Sequence, residues 1–391
     1  MNKKQGSLWM IVGLAVTATP ACTQFDNVED ACHPSGTVPG ADAGSVEEDA
    51  VAAMNCYRRV SGLARARVTP TIQQAIEAHA SYILQNPDAE RIYGEDGPAA
   101  YLTQRMGEPG FTGASVIERF DRAGYAFTDP SGVSTREFLY VARAGDAPLS
   151  DDGGALLSGA AAMDALMRQA DWREVAMQRS WLDGGYTEID LDATWWNLSG
   201  ICSVDPSVCG GGPNVPTDFA GRMYYIAVVH RDPPLERSFQ PFSFPERDQL
   251  EVPLFSASFD SDDLDPLSGI GENVQISYPI SIFGYAGDPD TADLQAQNIY
   301  GLEVDDAIIR DSNGTTYPTR AVLPGSSALG VFPSGVNLRR SAAVYIDRPF
   351  APSTTYTFTG EVTTNEAVYD VEFSFTTAAS DPGALQPGDD F

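Results

Sequence analysis

Two stretches decide how the chain begins to fold: Ser45-Val-Glu-Glu-Asp-Ala-Val-Ala-Ala-Met-Asn-Cys-Tyr-Arg-Arg-Val-Ser-Gly62 and Thr69-Pro-Thr-Ile-Gln-Gln-Ala-Ile-Glu-Ala-His-Ala-Ser-Tyr-Ile83. In the first, Ser45 is an N-cap with Glu48 three residues on, the pattern of a capping box. Ala50, Met54, Tyr57 and Val60 recur on or near one helical face, and Gly62 is the stop. In the second, Pro70 takes the first helical position, where its missing N–H costs nothing. Ile72, Ile76, His79 and Ile83 line its apolar face. Two more helices are expected: one near Ala114–Ala123 ending at Gly124, and one near Ala155–Ala170 with Leu156, Ala160, Met163 and Met167 in register.

Outward from these helices the pattern changes. Strand-like stretches follow at Tyr186–Leu191 and Met223–Val229. Helices first and strands interleaved later argue an α+β unit with an antiparallel sheet, spanning 45–231. Composition shifts over 231–270, where Asp232-Pro-Pro234, a Phe/Pro run at 239–245 and the acids of Asp260–Asp265 mark a boundary. Residues 232–247 are read as a linker. Beyond it, helical periodicity ends and strands recur between turns: Val274–Tyr278, a turn at Asn313-Gly314, Ala342–Ile346, Tyr356–Val362 and Val368–Phe375. Val371, Phe373 and Phe375 alternate with Glu372, Ser374 and Thr376 as in a half-buried strand. Residues 248–378 therefore read as an all-β sandwich, with a Pro/Gly/Asp tail over 379–391.

The N-terminus reads as an address. Lys3 and Lys4 precede the apolar run Leu8–Val16, too short to span a bilayer, which needs about 20 residues. Thr19-Pro20-Ala21 then leads to Cys22, so residues 1–21 are expected to be a secretory signal peptide. A small residue directly before Cys22 resembles the lipidation site of bacterial lipoproteins, although Thr19 stands where that pattern prefers Leu. Residues 22–44, rich in Gly, Pro, Ala and Asp, would be a tether. The expected location is the cell envelope, with membrane contact only through the lipid on Cys22; without that lipid the chain would be secreted.

Charge and composition narrow the chemistry. Lys3 and Lys4 are the only lysines, so a chain cleaved at Cys22 holds 22 arginines against 54 acidic side chains and no lysine. A phosphate-binding P-loop and Schiff-base chemistry both need a lysine, and neither is expected. Charge this negative repels nucleic acid, so no nucleic-acid partner is expected. There are three histidines, His33, His79 and His230, far apart in sequence. No metal site and no cofactor is expected from them. With Cys22 set aside, Cys32, Cys56, Cys202 and Cys209 make an even set for disulfides in an exported chain. Cys202 and Cys209 enclose a short loop, and Cys32–Cys56 would tie the tail to the first helix, but four cysteines allow three pairings.

Several pieces then fall in a recognisable order. Met54-Asn-Cys-Tyr-Arg58, Gly62-Leu63 and Ala75-Ile-Glu-Ala-His79-Ala-Ser-Tyr82 come first. Phe111-Thr-Gly113, Arg122-Ala-Gly-Tyr125, Glu137, Ala162–Met167, Asp171-Trp-Arg173 and Gly184-Gly-Tyr186 follow. Together, over about 46–231, they resemble the CAP superfamily of cysteine-rich secretory and pathogenesis-related proteins. The resemblance implies an α-β-α sandwich whose cleft holds two histidines and one or two glutamates, which in some members bind a divalent metal. Glu137 matches the glutamate. The first histidine is expected within 91–96, where this chain has Arg91-Ile-Tyr93-Gly-Glu-Asp96. The second is expected before Arg173, where Trp172 stands. Glu137, Trp172, Arg173 and Tyr93 are therefore the expected cleft residues, and the missing imidazoles weigh against metal binding and acid–base work there. Phe350-Ala-Pro-Ser-Thr-Thr-Tyr356 resembles the tyrosine corner of immunoglobulin-like sandwiches, whose hydroxyl bonds back to nearby backbone. That resemblance implies a spacer or adhesion module.

Blander readings stand beside the sharp ones. His79, on an apolar helix face, reads as a core histidine, His230 as structural or surface, and His33 as solvated. Asp260–Asp265 and Asp288–Asp293 invite calcium but lack the Gly and Glu spacing of an EF-hand, so they read as solvated linkers. Trp195-Trp196 reads as core rather than as a stacking platform, and no Gly-x-Ser-x-Gly nucleophile motif occurs. The expectation is an exported, more binding than catalytic protein that takes a small apolar or lipid-like ligand or a protein partner. The competing expectations are an envelope hydrolase acting through Glu137 and a structural surface or adhesion protein.

Overall fold

The computed structural model describes residues 38, 40–93, 97–127, 133–144, 149, 154–168, 170–178, 181–210, 212–231, 241–256, 276–283, 302–323, 341–363 and 367–380. The proposed signal peptide, Cys22, Cys32, His33, both acidic runs and the tail beyond Ser380 lie outside the described residues.

Local chemistry sets the first helices. In α1 (Val46–Val60) the Ser45 side chain accepts from the Glu48 N–H at 3.1 Å, and Glu48 Oε2 reaches back to the Gly44 N–H at 2.6 Å. At the other end Gly62 adopts φ +64°, and the Leu63 N–H bonds the Arg58 carbonyl at 2.7 Å, a Schellman closure. Helix α2 (Pro70–Gln85) has Pro at its start, but Thr69 does not cap it. The Thr69 hydroxyl bonds Asp183 instead, at 2.7 Å. A short α3 (Glu90–Tyr93) and a 3-10 turn (Gly97–Leu102) lead to α4 (Val116–Arg122), capped by Ser115 and ended at Gly124.

The expected helix over Ala155–Ala170 is a correction. The chain forms α5 (Gly159–Leu166) and then α6 (Ala170–Ala176). Glu188 sets the late start: its carboxylate accepts from the Gly159 N–H at 2.7 Å and from the Ser158 hydroxyl at 2.6 Å. Tertiary contact overrides the apolar register here. Trp195 and Trp196, expected in the core, lie on the short helix α7 (Ala193–Ser199), and both are buried.

The sheet has three antiparallel strands: β1 (Val133–Arg143), β2 (Trp181–Leu191) and β3 (Gly221–Arg231), in the order β1-β3-β2. Helices cover both faces. Phe138, Tyr186, Tyr224, Ile226 and Val228 face α1, α5 and α6, whereas Leu139, Ile189, Met223, Tyr225 and Val229 face α2, α4 and α7. At Gly185 a side chain would collide with Gln73 and Ile76, so the glycine lets α2 close onto the sheet. Gln73 uses the approach, bonding both the N–H and the carbonyl of Tyr186, at 3.2 and 3.0 Å. The chain is thus of mixed α+β class.

Beyond residue 240 the described elements are strands, in the order β4 (Phe242–Phe244), β5 (Gln249–Val252), β6 (Phe255–Ser256), β7 (Ile276–Ser277), β8 (Ile280–Phe283), β9 (Glu303–Asp311), β10 (Thr316–Tyr317), β11 (Arg320–Val322), β12 (Ser341–Tyr345), β13 (Thr355–Thr363) and β14 (Val368–Thr377). They form a five-stranded sheet, β10-β9-β13-β14-β5, a four-stranded sheet, β11-β12-β8-β4, and the pair β6-β7. Strand β4 lies inside 232–247, the stretch read as linker, and pairs with β8. Tyr356 accepts a bond from the Ala351 N–H at 2.8 Å, the return contact expected of a tyrosine corner. Tyr356, Phe358, Phe373 and Phe375 of one sheet share an apolar cluster with Ile282 and Val344 of the other and with Phe350 of the loop before β13.

That same cluster continues into the N-terminal part through α6 and Tyr57. Arg173 is fully buried, donates to the Pro279 carbonyl at 2.8 Å, and lies over the rings of Tyr278 and Phe244 at 4.6 and 5.6 Å. Glu174 accepts from the Ser341 hydroxyl at 2.8 Å, and Tyr278 donates to the Met167 carbonyl at 3.2 Å. The strand-rich part is seated on the helices, not hung from them.

Candidate functional site

Glu137 sits midway along β1, opposite Ala227 of β3, with its side chain on the α2/α4 face. Its Oε2 takes a short bond from Arg119 Nη2 and a bond of 2.5 Å from the Tyr225 hydroxyl. Arg119 comes from α4, and its other guanidinium nitrogen donates to the Leu102 carbonyl at 2.8 Å. The Arg119 side chain is 1% exposed and that of Glu137 14%. Burial works against the guanidinium charge, but Tyr225 and Glu137 more than offset it and hold the arginine above its usual range. Burial, reinforced by Glu137, pushes the Tyr225 hydroxyl well up, so it stays protonated and donates. One carboxylate oxygen of Glu137 is engaged by both the guanidinium and the hydroxyl.

His79 belongs to the same layer. Its ring stacks on Tyr82 at 5.9 Å and tilts against Tyr225 at 5.0 Å. Nδ1 meets Gln104 Nε2 at 2.9 Å, while the buried Nε2 has no hydrogen-bond partner among the described residues. Burial, with Arg119 and Arg91 adding to it, drives the imidazole well below its ordinary pKa. His79 is therefore a neutral core residue.

The four expected cleft residues do not meet. Trp172 is buried on the opposite face of the sheet from Glu137, edge-on to Phe138 at 5.7 Å. The alternation of β1 puts residues 137 and 138 on opposite sides. Arg173 points into the junction with Tyr278 and Pro279. Tyr93 lies against Trp196 at 6.5 Å, and Trp196 packs beside Gly221, six residues along β3 from the partner of Glu137. Among the described residues of the 91–96 stretch, Arg91 and Ile92 are buried, and Arg91 is the charged one. The Arg91 guanidinium donates to the Tyr82 hydroxyl at 2.9 Å, pairs with Glu108 at 3.2 Å and lies over the Tyr101 ring at 5.1 Å. Residues 94–96 lie outside the described residues. His230 is buried within β3.

Arg119, Tyr225 and Gln104 were not singled out from the sequence. Arg119 carried a signal: Val116, Arg119 and Phe120 share a helical face at the spacing of an apolar stripe, and a charge in such a stripe needs a partner. Nothing local pointed to Tyr225 or Gln104. Cys202 and Cys209 form a disulfide. Cys56 is also disulfide-bonded, and its partner lies outside the described residues. Among the described residues no group of three or more His, Cys, Asp or Glu is placed to hold a metal ion, and no helix is long and apolar enough to cross a membrane. No protein-family model and no curated protein matches the chain.

Proposed function

We propose that this is an exported envelope protein whose N-terminal part is a divergent CAP-like domain that binds a small apolar or lipid-like ligand and does not catalyse, with an immunoglobulin-like sandwich seated on it. The observation that carries the non-catalytic reading is the Glu137 carboxylate, held by the Arg119 guanidinium and the Tyr225 hydroxyl with no titratable imidazole bonded to it. The helix–sheet–helix layering supports the CAP-like reading, and the Tyr356 corner supports the sandwich. The lipid-like ligand rests on the family resemblance.

The test is a binding and turnover comparison on the intact chain. Glu137→Gln should bind a fluorescent sterol or fatty acid within about twofold of the parent, since a twofold change is about 0.4 kcal/mol. Hydrolysis of ester or peptide substrates that Glu137→Gln abolishes would overturn the reading. Export is checked separately by mass spectrometry of the mature N-terminus: the expected species begins at a lipidated Cys22, and an intact residue 1–21 segment would sink the address.

A further inference from the structure

The proton position on His79 follows from Gln104. Gln104 Oε1 accepts from two backbone N–H groups, those of Thr112 at 2.6 Å and Gly113 at 3.3 Å. A backbone N–H can only donate, so this end of the amide must be the oxygen. The other end, the NH2, therefore faces His79 Nδ1, which must accept. The ring proton is left on Nε2, buried and without an acceptor among the described residues. Besides the bonds from the Arg105 N–H to the Tyr82 hydroxyl at 3.0 Å and from Asn86 to the Pro109 carbonyl at 2.8 Å, one side chain ties the segment 103–113 to helix α2 by a chain of bonds that runs only one way: backbone N–H to amide oxygen, amide nitrogen to imidazole.

A second proton on His79 has nowhere to go. It would have to sit on Nδ1, where it meets the Gln104 NH2 donor to donor. Turning the amide over to offer its oxygen would set that NH2 against the Thr112 and Gly113 N–H groups. Among the described residues the charged groups that bear on the ring are two arginines. Tyr82 on α2 stacks on the ring, Tyr225 on β3 lies across it, Arg91 approaches from α3 and Arg119 from α4. Among the described residues, the carboxylates bonded to these neighbours are already engaged, Glu137 with Arg119 and Tyr225, and Glu108 with Arg91 and Tyr82.

We propose that His79 and Gln104 form an acid-released latch: protonation of the imidazole unfastens the segment 103–113 from α2 and uncovers Tyr82 and His79 beneath it. Glu108 rides on that segment, so release also withdraws the carboxylate partner of Arg91. Burial and the two arginines lower the folded imidazole pKa, which sets the direction. The open state binds the proton more readily than the closed one. The latch is therefore fully closed above the ordinary histidine pKa of about 6.5, and its closing constant falls by up to tenfold per pH unit below that. The proposal is independent of whether the protein binds a lipid.

Deuterium exchange of the Thr112 and Gly113 amides in the intact chain reads the latch, followed from about pH 7.5 to about pH 4.5 and corrected for intrinsic exchange. Protection should fall by up to tenfold per pH unit below about pH 6.5. His79→Phe keeps the ring stack but carries no titrating nitrogen, and its protection should lose that slope. Gln104→Glu offers the imidazolium a carboxylate, and it should raise the His79 pKa, read from its ring-proton NMR shift, and hold the segment closed in acid. Unchanged protection down to about pH 4.5 in the parent, or the same acid slope in His79→Phe, would overturn the latch. If Gln104→Glu does not fold, the parent and His79→Phe still decide.

Discussion

Glu137 shows how a single side chain changes meaning with its neighbours. As a letter in the sequence it is a candidate base; in the fold it is the counter-ion of a guanidinium with almost no access to water. A charge buried like Arg119 is tolerated because the carboxylate and the Tyr225 hydroxyl complete it. Removing the carboxylate should therefore be felt as stability. Glu137→Ala is expected to lower unfolding free energy by about 3 kcal/mol, with Glu137→Gln losing roughly half of that, because an amide oxygen still accepts. Urea melts of the two variants check this. A Glu137→Ala chain as stable as its parent would mean that the pair contributes nothing to the fold. Arg58 repeats the theme without a carboxylate: its guanidinium donates to the carbonyls of Ala64, Ala176 and Gln178 at 2.9, 2.7 and 2.9 Å and lies over Trp181.

At the scale of elements, ends were more legible than middles. The capping box at Ser45 and the glycines at 62 and 124 act within four residues of themselves, so the sequence alone predicts them. The Ala155–Ala170 stretch shows the limit. Its apolar spacing was right for Met163 and Met167, both buried, but its start depends on Glu188, a residue two elements away. Strand β1 was missed altogether. It carries a β-rich run, Phe138-Leu-Tyr-Val141, yet both of its faces are covered by helices, which removes the polar–apolar alternation that marks a half-exposed strand. Buried parallel strands hide from periodicity for the same reason.

For the whole molecule, helix α6 matters most. It packs between the sheet of the N-terminal part and strands β8 and β12, and places Trp172 on one side and Arg173 and Glu174 on the other. One apolar cluster runs through this junction from Ala50 and Met54 to Phe358 and Phe375. Heating the intact chain should therefore give one cooperative calorimetric transition. Arg173→Ala, which strips the junction of its guanidinium and leaves the Pro279 carbonyl unpaired, should destabilise by about 3 kcal/mol and broaden or split that transition. Two well-separated transitions in the parent chain would refute the shared core. Cleavage near residue 240 would then leave either side with an exposed apolar face.

What depends on near neighbours is legible in the amino-acid order: the cap of α1, the stops of α1 and α4, the proline start of α2, the Tyr356 corner and the α+β class. Such features need a few residues and a fixed local geometry. Only the tertiary structure decided which faces of the sheet are served by which residues. It separated Glu137 from Trp172, Arg173 and Tyr93, gave Glu137 to Arg119, and set Gln104 against His79. It also turned a stretch read as linker into strand β4 at the junction. These outcomes rest on contacts across tens to hundreds of residues, where a one-residue step along a strand moves a side chain to the other face and nothing local records the choice.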